Sequence, residues 1–470
     1  MCRLRKQARS STTASHLSVS VSFVFMPKEK SEAPKPKLRA TVLTDEYLAE
    51  IVTSGRDSSF VVKDLKSGEI TMSDSLEDGR IIPFYPAHGF LQVTKLSSAI
   101  EDFGTDAELI TDIRSFIRKW VDLSEIYEKL CTYYVLLSWC YDEFREIPYL
   151  RVLADLGSGK SRLGIDVLGS ICYKSIPTMA VSSMSAIFRT LDAMGGTLIL
   201  DEADLGDESE KTSEIVQLLN SGYKKGVPVL RCSLGVGGVQ SEAFRVFGPK
   251  VILSREHMKD HALESRCLPV RLTRTERKDL PLFTDQSLED ESEHLRNKLL
   301  KWRLDGYGTR MAQRDMSFIE LPIPPRFKQL FIILSAVISD KATKEELKKY
   351  ALEIAEEASS MRSDSFEGDL LEAIHEVLTQ SPSLVAENVE VSFNDILEKI
   401  NLTRPEHQKI KLRGVSKGIR EKLSLDTGRI GHDNKNGLKC TLLKLNTSFR
   451  NFGLTEIDLT KSYPVESLDF

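Results

Sequence analysis

Cysteine is scarce and widely scattered. The seven cysteines in 470 residues (Cys2, Cys131, Cys140, Cys172, Cys232, Cys267 and Cys440) include no CxxC pair and no Cys/His spacing suited to zinc. This argues against a zinc ribbon or a disulfide-stapled design, and for reduced thiols in a cytoplasmic protein. Long apolar runs are missing too. None approaches the roughly 20 residues of a membrane span, so no membrane partner is expected. There is no surplus of positive charge. The formal net charge is −5, so nucleic acid could be held only by a local basic surface. Acids are absent from the first 26 residues, which are basic and serine-rich. Their apolar part is broken by serines and lacks an AxA-like cleavage site, unlike a secretion signal. The expectation is a true start at Met26, followed by a linker through KEKSEAPKPK. Residues 1–40 are therefore set aside.

What is present suffices for about three domains. Residues 41–145 form a mixed α+β region, with β-like pieces at SSFVVKDL, GEITMSD and RIIPFYP. A helical stretch follows from about Ile110 to Phe144, with Ile113, Phe116, Ile117, Trp120 and Val121 at helical spacing. From residue 146 to 283 strands and helices alternate. YLRVLAD, PTMAV, TLILD, PKVILS and CLPVRL read as strands. GSGKSRLGIDVLGSIC, SAIFRTLDAM, SEIVQLLNSGYKK and the short HALES read as helices. Strands separated by helices predict a parallel α/β sheet. Residues 284–362 read as helices only. Residues 365–450 form a separate small α+β unit, and residues 451–470 a tail.

ADLGSGKS, Ala154 to Ser161, lies between a strand and a helix. Gly157 and Gly159, flanking Ser158, let backbone N–H groups turn toward a phosphate, and the helix N-terminus adds partial positive charge. In this pattern Lys160 reaches the β- and γ-phosphates of ATP and Ser161 ligates Mg²⁺. Ala154 stands where the GxxxxGK[ST] pattern has its first glycine. LILDE supplies the second half. Asp201, at the end of a buried strand, would hold the metal, and Glu202 would polarise the attacking water.

The letters DEAD at 201–204 resemble the motif of DEAD-box RNA helicases, but the context does not. Ala154 and Asp201 are only 47 residues apart, about half that family's interval. No SAT tripeptide follows, and no second nucleotide-fold lobe. The interval and sequel are instead similar to AAA+ ATPases, with one strand and one helix between the two motifs. The resemblance spans about residues 110–360 and implies a P-loop core with a helical lid. Ser254, closing PKVILS, matches the sensor-1 position. HALESRCLPV resembles the SRC motif of clamp loaders and the LLSRF of minichromosome-maintenance helicases. It makes Arg266 the arginine finger, which in AAA+ rings serves the neighbour's ATP and so implies a homo-oligomer. Arg326 in IPPRFKQLF matches a sensor-2 arginine at a lid-helix start. GVPVLRCSLGVGGVQSEAFRVFG reads as a hairpin before sensor 1, as in minichromosome-maintenance and superfamily 3 helicases, where it enters a pore and touches DNA. Its tip carries glycines and no lysine, with Arg231 and Arg245 on its flanks. A purely structural hairpin stays open.

The C-terminal module reads as helix, strand, helix, helix, then two strands (TGRIGH and LKCTLLKL). This order resembles a winged helix-turn-helix domain. From Arg404 to Arg450 twelve basic residues face four acidic ones, a local footprint for DNA phosphates. In VSKGIREKL, Ile419 and Leu423 are expected to face inward. Ser416, Lys417 and Arg420 then point outward to a groove, and Lys435 on the following turn could reach the backbone. The fold also serves protein contacts elsewhere. The sequence therefore implies an Mg²⁺-dependent ATPase of the AAA+ class acting on DNA, a replication helicase or initiator of a mobile-element or phage type. An AAA+ protein remodeller and an ATP-gated DNA-binding regulator stand as alternatives.

Overall fold

A computed structural model of the chain describes residues 36–155, 157–179, 182–202, 210–235, 238–256, 258, 260–363, 365–380, 384–385, 388–402, 404, 408–431 and 434–457. The expected leader and Met26 start, Ala203 and Asp204, the hairpin tip at 236–237 and the tail beyond 457 lie outside the described residues.

The N-terminal region is an antiparallel meander of β1 (Thr41–Leu43), β2 (Tyr47–Ser54), β3 (Asp57–Asp64) and β4 (Ile70–Ser73). The sequence pattern misses β2. Leu48 to Val52 are all buried, so the strand is covered on both faces and shows no alternation. The fold also begins before residue 41: Lys37–Arg39 pairs in parallel with Ile81–Pro83, and Ala40 is buried. α1 (Asp106–Trp120) starts on a capping box between Thr105 and Glu108. Its apolar face is Leu109, Ile113, Phe116, Ile117 and Trp120. In α2 (Glu125–Ser138) every residue from Glu128 to Ser138 is buried, as a helix surrounded by protein requires.

The centre is a five-stranded parallel sheet. Its strands are β5 (Tyr149–Ala154), β6 (Ile176–Met179), β7 (Leu198–Asp201), β10 (Lys250–Ser254) and β11 (Cys267–Leu272), in the order β11-β5-β10-β7-β6. β10 lies between β5 and β7, with Ser254 opposite Leu153 and Ile252 opposite Leu200. The C-terminal ends of these three strands meet at one edge, where ligands bind in such sheets. α3 (Met184–Met194) and α4 (Glu210–Gly222) connect the middle strands. β8 (Val229–Gly235) and β9 (Gly238–Phe244) form the hairpin, paired from Val229–Phe244 to Gly235–Gly238. The short α5 (His261–Glu264) precedes β11.

The helices that follow are α6 (Gln286–Asp305), α7 (Pro325–Ser335) and α8 (Lys341–Ser363). They do not form a separate layer. One apolar core runs from Ala40 to Ile354, and a balanced set of buried charges crosses it. Arg303 of α6, fully buried, donates through Nε to Glu50 of β2 at 2.9 Å and through Nη1 and Nη2 to Asp142 at 2.8 Å each. Lys174 meets Glu50 at 2.8 Å. Burial pushes the Glu50 carboxyl up, but Lys174 and Arg303 more than offset this and hold it below its ordinary range. The network ties the N-terminal meander, the sheet and α6 into one body.

A second core runs from Leu370 to Ile457. It comprises α9 (Phe366–Gln380), β12 (Leu384–Val385), β13 (Asn388–Ser392), α10 (Phe393–Leu402), α11 (Leu412–Lys417), β14 (Thr427–Ile430), β15 (Lys435–Thr441) and α12 (Leu442–Asn451). The strands pair antiparallel in the order β12-β13-β15-β14. LKCTLLKL is not one strand, as expected from its apolar run. β15 stops at Thr441, whose hydroxyl accepts from the N–H of Lys444 at 3.4 Å and caps α12. α11 continues into a π-helical turn, Gly418–Lys422. A Cβ on Gly418 would crowd the Leu370 and Phe366 side chains, so glycine suits the close approach to α9.

Candidate nucleotide site

Beyond Ala154 the chain turns through Gly157 and Gly159, both left-handed at φ 81° and 84°. A side chain at either position would be strained. The Ser158 N–H donates to the Asp155 carbonyl at 3.3 Å, and the Leu163 N–H to the Gly159 carbonyl at 2.9 Å. The loop thus feeds directly into a helix, part of it π-helical (Arg162–Leu168). Arg162 ties that helix to the linker before α6, donating to the carbonyls of Pro281 at 2.7 Å and Leu282 at 2.5 Å.

The two expected motifs meet. Ser161 Oγ donates to Asp201 Oδ2 at 2.7 Å, and Lys160 Nζ lies 4.0 Å from Asp201 Oδ1. Asp201 is buried at the end of β7, and its Oδ1 accepts the Glu202 N–H at 2.8 Å. A hydroxyl and a carboxylate at one spot form an all-oxygen donor set, which suits Mg²⁺. Among the described residues no cluster of three or more His, Cys, Asp or Glu makes a complete metal cage. Such an ion would need phosphate and water to fill its shell. Glu202 is exposed and left-handed at φ 55°, a sparsely populated conformation for a residue with a side chain. It sits directly beside the Asp201 carboxylate.

Ser254 ends β10 at the same edge, yet its hydroxyl is engaged inside the sheet. It accepts from Arg151 Nε at 3.3 Å and Nη2 at 3.2 Å, and donates to the Glu256 carbonyl at 3.2 Å. Arg151, fully buried on β5, also reaches the Glu256 carbonyl and the Glu264 carboxylate. The sequence hides this arginine inside the apolar string YLRVLA, where alternation alone does not mark it as structural.

Arg266 and Arg326 lie elsewhere. Arg266 immediately precedes β11 and donates to the side-chain carbonyl of Asn220 on α4. Its guanidinium is 5.4 Å from the Tyr223 ring, and that of Arg326 is 6.0 Å from the same ring. Tyr223 packs edge-on against Tyr149, the first residue of β5, at 6.1 Å. The P-loop leaves the other end of that strand, roughly 16 Å away at ~3.3 Å per residue. An arginine side chain is far shorter than that, so neither arginine reaches Lys160, Ser161 or Asp201 of its own chain. Pro325 occupies the first turn of α7, with Pro324 before it as the N-cap.

The polar face of the sheet continues to Lys250, the first residue of β10. It is fully buried, and its Nζ donates to the carbonyls of Val246 at 2.8 Å and Gly248 at 2.9 Å. With no carboxylate to offset burial, its pKa falls to about 7. Above pH 7 the folded chain therefore holds fewer protons at this site than the unfolded chain, up to the ordinary lysine value. Stability rises with pH across that window. Compared with Lys250→Met, the wild type should gain up to about 1 kcal/mol per pH unit from pH 7 to 8.5, read as urea midpoints. A constant difference between the two proteins would show that Lys250 stays charged.

The hairpin arginines are spent locally. Arg231 pairs with Glu214 at 2.7 Å, Arg245 with Asp192 at 2.9 Å, and Arg189 of α3 with Glu242 at 3.3 Å. These contacts fasten β8 and β9 to α3 and α4. In the C-terminal unit Ile419 is buried and Leu423 partly so, while Lys417, Arg420 and Lys435 are exposed and Ser416 half-buried. Lys411 and Arg413, at the start of α11, are exposed on the same segment. Other basic residues are neutralised: Lys439 by Glu390 at 2.8 Å, Lys444 by Asp426 at 2.8 Å and Lys422 by Glu367 at 3.3 Å. The footprint is smaller than composition suggests, because most of these partners lie outside residues 404–450.

No protein-family model matches the chain, and no curated protein matches it. Solved structures do. The NrS-1 C-terminal region is 10% identical over 84% of this chain and 96% of that one, with a TM-score of 0.36. A full-length MCM homolog from Methanopyrus kandleri is 14% identical over 66% and 74%, with a TM-score of 0.31. The JCV helicase is 11% identical over 53% and 66%, with a TM-score of 0.27. Overlaps this shallow carry no argument about activity. No helix among the described residues is long and apolar enough to cross a membrane.

Proposed function

We propose that the chain is an AAA+ ATPase that works on DNA as a homo-oligomer, in the manner of a replication helicase or initiator. The observation that carries the reading is the 2.7 Å contact between Ser161 and Asp201, with Lys160 alongside, at the exit of a glycine loop. Gly157, Ser158 and Gly159 offer backbone N–H groups to the phosphates of ATP, and Lys160 neutralises their charge. Ser161 and Asp201 would hold Mg²⁺, which when bound neutralises charge on the transferring phosphoryl group. Glu202, beside them, takes the proton-side contact of the attacking water. Ser254 would meet the γ-phosphate.

Arg266, held by Asn220 and the Tyr223 ring, serves as the arginine finger for the nucleotide of an adjacent copy, and Arg326, near the same ring, is the sensor-2 arginine. Arg266→Ala is expected to bind ATP yet turn it over about 100-fold more slowly. Mixing it with Lys160→Ala should restore part of the rate, because one mixed interface then holds an intact P-loop and an intact finger. No recovery at any mixing ratio would remove the assignment in trans.

The C-terminal unit is read as a winged helix whose α11 segment meets DNA through Ser416, Lys417 and Arg420, with Lys435 on the wing. The deciding experiment is ATP hydrolysis with and without single- and double-stranded DNA. Stimulation that fades with salt and is lost in Arg420→Glu fits DNA work. A healthy rate that DNA leaves unchanged favours the protein-remodeller reading. One observation already leans that way: the hairpin's flanking arginines are paired within the chain. DNA binding without turnover would leave an ATP-gated regulator.

A further inference from the structure

The buried guanidinium of Arg151 joins two parts of the proposed machinery that lie far apart. On one side it holds the hydroxyl of Ser254, the residue placed to meet the γ-phosphate. On the other it pairs with Glu264, the last residue of α5 and two positions before Arg266. Glu264 also accepts the Met258 N–H at 3.1 Å, so Met258 and α5 are tied to this ion pair. The Glu256 carbonyl, bonded by both Ser254 and Arg151, is part of the same knot. α5 is capped at its start by Asp260, whose Oδ1 accepts from the N–H groups of Ala262 at 2.9 Å and Leu263 at 3.1 Å. Asp260 in turn lies 3.4 Å from Asn220, the residue that holds Arg266.

We propose that Arg151 is a positioning residue that transmits the occupancy of a protomer's own nucleotide site to the arginine finger it offers its neighbour. The proposal rests on the ATPase reading above and deepens it. The Ser254 hydroxyl has one proton, now given to the Glu256 carbonyl. A γ-phosphate oxygen would compete for it. When the proton turns to phosphate, the Glu256 carbonyl loses one donor and keeps the one from Arg151. The guanidinium then redistributes its bonds among Ser254, Glu256 and Glu264. α5 is short and ends at Glu264, so a shift of that carboxylate moves Arg266 directly. The two states differ in named contacts, as a coupling mechanism requires. Neighbouring sites would therefore hydrolyse ATP cooperatively.

The test compares the wild type with Arg151→Met/Glu264→Met and with Glu264→Gln, all in the full chain. The double substitution removes the buried charge and its partly exposed partner together, which is often near neutral for stability, whereas removing Glu264 alone strands Arg151. For each protein the ATP dependence of the rate, the binding of a fluorescent ATP analogue and the thermal midpoint are measured. The wild type should show a Hill coefficient above one. The double variant should bind the analogue with unchanged affinity, lose about 10- to 100-fold in kcat and fall to a Hill coefficient of about one. A purely structural pair would lower the thermal midpoint and leave the Hill coefficient alone, and that result overturns the proposal. So does a non-cooperative wild type. If the double variant does not fold, Glu264→Gln assayed at low temperature decides: retained wild-type cooperativity overturns the proposal, loss of it sustains it. A wild type without any ATPase activity would sink the function reading itself, a result distinct from all of these.

Discussion

Glu202→Gln should bind ATP as well as the wild type and hydrolyse it at least about 100-fold more slowly. The substitution keeps size and hydrogen-bonding capacity, and removes the charge proposed to polarise the attacking water. It leaves Asp201, Ser161 and Lys160 in place, because Glu202 contributes only its backbone N–H to that cluster. Binding of a fluorescent analogue together with single-turnover hydrolysis separates the two effects. Turnover within threefold of the wild type would take Glu202 out of the chemistry. The left-handed backbone at this position makes Glu202→Gly a useful companion. Glycine relieves the local strain, so a loss of activity in that variant cannot be blamed on the backbone.

Arg303→Met should destabilise the chain by about 3–5 kcal/mol, seen as a lower urea midpoint. It strands Glu50, which is 1% exposed, and Asp142 without their shared cation. Lys174 remains beside Glu50, while Asp142 keeps only the weaker support of Lys225, whose Nζ donates to the Asp142 carbonyl at 2.8 Å. The variant should also unfold at higher pH than the wild type. Burial pushes both carboxyls up, and Arg303 is a main reason they sit below the ordinary range. The stability they contribute is complete above ordinary carboxylate pKa values and is lost as pH falls through their depressed ones. Without Arg303 that loss begins earlier. A midpoint shift below about 1 kcal/mol would mean that the site is hydrated and the network unimportant.

The glycine loop and the contact between Ser161 and Asp201 were legible because they are local. Glycines at fixed offsets, a lysine and a serine at a helix start, and a carboxylate at a strand end each follow from backbone geometry over a few residues. The parallel strands were legible for a related reason, since strands buried on both faces are written as apolar runs. The same rule concealed β2, whose buried face includes Glu50, and blurred LKCTLLKL, where one apolar run serves a strand and then a helix. The sequence by itself therefore determined where the glycine loop lies, which carboxylates stand beside it and where strands and helices alternate. Only the tertiary structure decided that Arg266 and Arg326 share one ring at the far end of β5, that the hairpin arginines are consumed by neighbours, and that Arg151 links Ser254 to Glu264. Those facts depend on which distant side chain completes a buried charge or hydrogen bond, and desolvation sets that choice only once the chain has closed around it.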